Sequence, residues 1–144
     1  MFWTKRKPEG SEMEDKAEEV AAEAEGYYRS GKMHCAEAVL ASILRNYMPS
    51  AGEDMVRLAA GFGGGSGAGC VCGAVVGATM AFGLLFPDDR KLVQQLTKEI
   101  HRWSKDEYGA TCCKVILQTH KKICYELTGK VAGRVAEMVQ SEKK

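Results

Sequence analysis

Apolar residues recur along much of this chain at intervals of three and four, which places them on one face of an α-helix. Val39, Leu40, Ile43 and Leu44 follow this spacing, and runs that alternate apolar and polar residues, as half-buried strands do, are absent. The pattern predicts helices over about residues 11–30, 34–47, 53–60, 72–85, 89–105 and 112–140. We therefore predict an all-α, single-domain bundle of about five to seven helices, in which a glycine-rich loop leads into a buried central helix.

The N-terminal residues 1–10 lack this spacing and are predicted to form a flexible arm, which leaves residues 11–144 as one helical, cysteine-containing domain. Ser11 and Glu14 fit a capping box, in which a hydroxyl and a carboxylate satisfy the first free N–H groups of a helix. A chain of 144 residues is long enough to bury a real core.

Charge and the first residues restrict the expected partners and location. The net charge is +1 and the basic clusters are short, so we expect no nucleic acid as partner. No secretory signal is visible, because the basic residues 5–7 follow an apolar start of three residues instead of preceding a longer one. We therefore expect a cytoplasmic protein, whose six cysteines serve as metal ligands, redox groups or buried thiols more readily than as structural disulfides.

The most apolar segment, residues 61–86, reads GFGGGSGAGCVCGAVVGATMAFGLLF. Glycine in a helix interior costs roughly 1 kcal/mol relative to alanine, so its abundance here requires a reason. Gly69, Gly73, Gly77 and Ala81 would form a smooth face that lets a neighbouring helix or an inorganic site approach the backbone. The uncharged stretch has the borderline length for crossing a bilayer, but its mild hydrophobicity and missing anchors favour a buried helix and no membrane.

The glycine loop, residues 61–69, is not predicted to bind a nucleotide. A Walker loop requires Gly-Lys-Ser/Thr after its glycines, whereas Cys70-Val71-Cys72 follows here. The loop is instead expected to bring Cys70 and Cys72 to the start of a helix, where free N–H groups and the positive end of the helix dipole stabilise a thiolate.

Spacing leaves the pairing of the other cysteines open. Cys112 and Cys113 are neighbours that splay apart on a helix, so one of them is expected to work and the other to pack. Cys113 and Cys124 would stand roughly 16 Å apart along a continuous helix. Either the helix breaks near residues 118–122, or these two cysteines do not share a site. His120 and Cys124 are four apart, so on one helix they could both touch one metal.

Five stretches together resemble a known family. They are His-Cys-Ala-Glu-Ala-Val around Cys35, Gly-Phe-Gly-Gly-Gly at 61–65, Cys-Gly-Ala-Val-Val-Gly at 72–77, and the regions that begin with Cys113 and Cys124. Over about residues 18–140 the chain resembles the C_GCAxxG_C_C family, whose members are described as redox-active. A similar region is appended to split-Soret cytochromes, where an iron–sulfur centre is associated with it. No Cys-x-x-Cys-His haem attachment exists here, so the cytochrome function does not carry over.

The resemblance implies a small helical protein whose working cysteines are Cys35, Cys72, Cys113 and Cys124. Nearby residues in the sequence are the candidate substitutes: Cys70, Cys112 and His120. We expect the glycines around them to support the site through backbone N–H groups; they are Gly63, Gly64, Gly65, Gly73 and Gly77. The leading hypothesis is a [2Fe–2S] cluster for electron transfer to an unknown redox partner protein, with zinc as the alternative metal.

Two other functions stay open from the sequence. A thiol–disulfide redox protein without metal would need two cysteines within bridging distance and a lowered pKa, most simply at Cys72. A structural helical adaptor with buried thiols would need neither. The residues do not decide whether the protein is an enzyme or what its substrate would be. The small-residue face would also allow a homodimer.

Overall fold

The computed structural model describes the backbone of residues 9–120 and 123–142, and the side chains from residue 14 onward within those ranges. Most of the predicted N-terminal arm, residues 1–8, and the side chain of Ser11 in the predicted capping box lie outside the described part. The first helix begins at Glu9, two residues before the predicted start.

Seven α-helices and no strand are present in the described ranges, which confirms the predicted all-α bundle. They are α1 (Glu9–Arg29), α2 (Cys35–Tyr47), α3 (Glu53–Arg57), α4 (Gly73–Leu85), α5 (Arg90–Tyr108), α6 (Cys113–Thr119) and α7 (Cys124–Glu142). The helical stretch predicted over residues 112–140 does break: α6 ends at Thr119 and α7 begins at Cys124.

Helices α1 and α7 pack closely along each other. Leu127, Val131, Val135 and Val139 recur every four residues on α7 and are buried. A Cβ added at Gly133 would lie 3.1 Å from a backbone oxygen of α1, and one at Gly129 would lie 3.0 Å from another. These two glycines therefore let α7 approach the backbone of α1, a role that the sequence analysis did not assign to them.

The predicted central helix, α4, is buried against α2, α5 and α7. Its small residues face α2: a Cβ on Gly77 would come within 2.5 Å of the carbonyl oxygen of Ala36. This close approach offsets the conformational cost of the glycine and sets α2 directly beside α4. No helix in the described part of the chain is both long enough and apolar enough to span a bilayer.

Two predicted boundaries are wrong. Helix α5 continues to Tyr108 instead of ending near residue 105, because Ser104 and Tyr108 are buried and extend its inner face by a turn. Gly109, with φ of +82°, then ends it. The short helix α3 stops at Arg57 and not at residue 60, and a tight turn over Ala60–Phe62 follows.

Candidate functional site

The glycine loop adopts a backbone conformation that other residues rarely accept. Gly64, Gly65, Gly67 and Gly69 have φ between +66° and +74°, and Ser66 is the one non-glycine with positive φ among the described residues. The N–H of Cys70 donates to the carbonyl of Gly65 at 3.0 Å and closes the loop. The glycine content of this segment thus follows from a tight left-handed turn immediately before Cys70.

A short antiparallel bridge joins the end of this loop to the start of α6. Val71 stands opposite Cys112; the Cys113 N–H donates to the Cys70 carbonyl at 2.6 Å, and the Cys72 N–H donates to the Thr111 carbonyl at 2.7 Å. Side chains alternate between the two sides of such a bridge, so Cys72 and Cys113 fall on one side and Cys112 on the other. This alternation directs Cys113 to the cavity side and Cys112 away from it; it does not separate Cys70 from Cys72, which differ in that Cys70 is exposed and Cys72 is buried.

One cavity of about 380 Å³ lies on that side. Its lining includes all four cysteines that the resemblance implied: Cys35, Cys72, Cys113 and Cys124. They come from the first residue of α2, the residue before α4, and the first residues of α6 and α7. Four helix starts therefore converge on one space, and the break between α6 and α7 is what allows Cys113 and Cys124 to share it.

The sulfur atoms are near enough to influence one another's ionisation. Charge on Cys35 or Cys113 raises the pKa of Cys72, and charge on Cys124 raises the pKa of both Cys35 and Cys113. All six cysteines of the chain are free thiols. Across the described part of the chain, no three Cys, His, Asp or Glu side chains are arranged to hold a metal ion.

Burial is the largest cause of the raised pKa values of Cys35, Cys72 and Cys113. It raises the pKa of Cys72 to about 12, and the nearby N–H groups of Val75 and Ala74 at the start of α4 offset only part of this rise. Burial also raises the pKa of Cys35, against a smaller opposing effect of the Gly64 N–H. The expectation of a lowered pKa at Cys72 is therefore wrong, because removing the thiolate from water outweighs the helix N-terminus.

Glycines of the loop and of α4 leave room for the cavity. Gly63, Gly64 and Gly73 line it. A Cβ on Gly73 would lie 2.5 Å from the Cys35 sulfur, and one on Gly65 would lie 2.9 Å from the Cys113 Cβ. Gly77 lies farther along α4, where it holds α2 close without lining the cavity.

The three proposed substitutes do not line the cavity. Cys70 is exposed, and the Cys112 thiol donates to the Gly69 carbonyl at 3.0 Å. His120 caps the end of α6 and packs edge-on against Tyr108, with ring centres 5.7 Å apart. The expectation that His120 and Cys124 share one helix face is wrong, because the chain leaves the helix between them.

Two hydroxyl-bearing residues of the cavity lining were not predicted as site residues by the sequence analysis. Tyr28 was assigned to an apolar stripe of α1, yet it lines the cavity; burial, the charges on Cys124 and Cys35, and a side-chain hydrogen bond to Cys124 raise its pKa to about 12. Thr128 lies on α7 one turn after Cys124 and is fully buried. Thr128 lies four residues after Cys124 in the sequence, which would place both on one helix face, and this spacing was the signal that could have identified it.

Most of the chain matches the model of a known protein family. The model of the family described as "Putative redox-active protein (C_GCAxxG_C_C)" matches residues 33–138, which is about three-quarters of the chain and includes all four cavity cysteines. The comparisons with curated proteins and with solved structures found no match.

Proposed function

Since the chain belongs to the C_GCAxxG_C_C family of redox-active proteins, we propose that its four cavity cysteines hold a [2Fe–2S] cluster and that the protein transfers electrons. The observation that carries this proposal is the convergence of Cys35, Cys72, Cys113 and Cys124, from four separate helix starts, on one cavity. Buried cysteines that served only as packing groups would have no reason to meet in one space.

The chemistry of the lining fits an iron–sulfur cluster. Four thiols are the usual ligand set of such clusters, and the lining contains no carboxylate of the kind that hard cations prefer. Gly73 keeps the wall beside Cys35 free of a side chain, since a Cβ there would collide with the sulfur. The space is thus kept open at the point where the ligands approach.

Two irons and a single zinc ion place different demands on the four sulfurs. Zinc would require all four sulfurs at about 2.3 Å from one point, and the described residues contain no set of three ligands arranged in this way. A two-iron cluster requires only two of the four cysteine sulfurs to approach each metal ion, because each iron binds two of the four cysteines. We therefore rank the cluster ahead of zinc.

The cavity cysteines would bind as thiolates, and loading would release their protons. Burial keeps Cys35, Cys72 and Cys113 protonated at neutral pH in the metal-free protein, so a cation must displace those protons. When bound, the cluster would supply one-electron transfer between a reduced and an oxidised partner protein. The same raised pKa values disfavour thiol–disulfide exchange, which needs an available thiolate.

Backbone groups would tune the site. The N–H of Gly64 already favours negative charge on Cys35, and those of Ala74 and Val75 favour it on Cys72. Once metal replaces the protons, these donors would act on sulfurs that carry charge permanently, where hydrogen bonds are stronger.

The test is anaerobic reconstitution with iron and sulfide, followed by metal analysis and a visible spectrum. We expect a coloured protein with about two irons per chain, as a [2Fe–2S] cluster requires. Cys72→Ser and Cys113→Ser should lower iron content strongly. The sequence neighbours supply matched controls: Cys70→Ser and Cys112→Ser should retain the iron of the parent protein.

Three results would contradict the proposal. Colourless protein that binds one zinc would point to a structural metal site. Protein that binds no metal but loses two thiols on mild oxidation would support thiol–disulfide chemistry. Equal iron loss in the Cys70 and Cys72 variants would show that the cavity does not select its ligands.

A further inference from the structure

Thr128 has a buried hydroxyl that its own helix does not use. Its side chain is fully buried and lines the cysteine cavity, and among the described residues its Oγ1 has no hydrogen-bond partner. Buried hydroxyls are normally satisfied, because leaving one without a partner costs stability. An orphaned hydroxyl at the wall of a cavity therefore indicates a partner that occupies the cavity.

Some helical hydroxyls of this chain bond within their own helix; Ser104 on α5 is, like Thr128, buried with no partner among the described residues, but it does not line the cavity. Thr79 on α4 donates to the carbonyl of Val76 at 2.8 Å, and the buried Ser42 on α2 donates to the carbonyl of Val39 at 3.0 Å. Such bonding back to the preceding turn is the usual solution inside a helix. The Thr128 hydroxyl does not bond back to its own helix, and it lies one turn after Cys124 on α7.

We infer that Thr128 is a positioning residue whose hydroxyl donates a hydrogen bond to a sulfur atom of the bound cluster, either a sulfide or the Cys124 thiolate. This inference rests on the proposed function and assigns a role to a residue outside the cysteine set. A donor to sulfur stabilises the reduced form, which carries the extra negative charge, and so raises the reduction potential.

Thr128→Val tests the inference because it keeps the shape and removes only the hydroxyl. In the iron-loaded protein we expect about a tenfold shift of the redox equilibrium toward the oxidised form, or about 59 mV for one electron. Thr128→Ser keeps the donor and should keep the potential. Thr79→Val, whose hydroxyl is bonded within its own helix, should also leave the potential unchanged.

The metal-free protein gives a second readout. There Thr128→Val should raise the melting temperature, because a methyl group replaces a buried hydroxyl without a partner, whereas Thr79→Val should not. A fall in melting temperature for Thr128→Val would mean that the hydroxyl has an internal partner and would overturn the inference.

The two proposals fail in distinguishable ways. An iron-loaded Thr128→Val protein with the parent potential would overturn the role of Thr128 and leave the cluster in place. A parent protein that takes up no iron would overturn both. A lowered potential in Thr128→Val together with the parent value in Thr128→Ser would support the assignment, since a merely structural role would not distinguish these variants by potential.

Discussion

The contact between α4 and α2 at Gly77 makes the sharpest prediction about how this fold holds its site. In Gly77→Ala, the new Cβ would lie 2.5 Å from the Ala36 carbonyl oxygen and 3.2 Å from its carbonyl carbon and Cα. The shortest of these distances is about 1 Å below normal contact, and the obstacle is backbone, so the helices must separate. Because α2 begins at Cys35 and α4 follows Cys72, separation would also displace two of the four sulfurs.

The magnitude follows from two opposing effects. Overpacking a tight contact costs about 1–3 kcal/mol, and replacing glycine by alanine inside a helix returns up to about 1 kcal/mol. Gly83→Ala on the same helix is the matched control, since no atom lies within 4 Å of its added Cβ. Gly83→Ala is stabilised by the higher helix propensity of alanine and meets no steric conflict. Gly77→Ala should therefore be less stable than Gly83→Ala by about 1–3 kcal/mol.

Urea unfolding of the metal-free variants measures this difference directly, and thermal unfolding should show about 2–4 °C per kcal/mol. Iron content after reconstitution tests the link to the site: Gly77→Ala should retain less iron than Gly83→Ala at a temperature where both are folded. If Gly77→Ala proves as stable as Gly83→Ala, α2 can move away without cost and the argument that this glycine fixes the helix contact is refuted.

Three further predictions concern other parts of the chain. Gly133→Ala should destabilise the protein by about 1 kcal/mol, since its Cβ would lie 3.1 Å from a backbone oxygen of α1, whereas Gly26→Ala has open space; equal urea midpoints would contradict this. Ser66→Gly should stabilise by about 1 kcal/mol, because φ is +66° there; a lower melting temperature would count against it. In metal-free protein at pH 8, alkylation should label exposed Cys70 quickly and Cys72 slowly, because raising the pKa from 9.0 to about 12 cuts the thiolate fraction about a thousandfold. Mass spectrometry that finds both thiols labelled at similar rates would show that Cys72 is not buried as described.

Local structure was largely predictable from the sequence. The apolar spacing identified the helices, because a helix must bury one face whatever it packs against. Errors fell at ends such as Tyr108, where burial in the assembled core extends a helix past its last obvious signal. The glycine loop was also recognisable, since a run of glycines without a helical pattern predicts unusual backbone.

Which cysteines share a space could not be derived from spacing alone. Cys70 and Cys72 are equivalent candidates from the sequence, and only the folded structure shows that Cys72 is buried and Cys70 is exposed. Cys113 and Cys124 could meet only if the helix broke, and the structure shows that α6 ends at Thr119 and α7 begins anew at Cys124. The resemblance to a family indicated which four of the six cysteines work together, a choice that residue spacing had left open.

The amino-acid sequence alone thus determined the helices, the left-handed loop and the presence of cysteine thiols as soft metal ligands, because each of these depends on residues within a few positions of one another. Tertiary structure alone decided the acidity of Cys72 and the isolation of the Thr128 hydroxyl. Both depend on how much water and how many partners distant segments leave around an atom. The water and the partners around an atom are fixed only after distant segments have packed around the cavity, so no local sequence pattern predicts them.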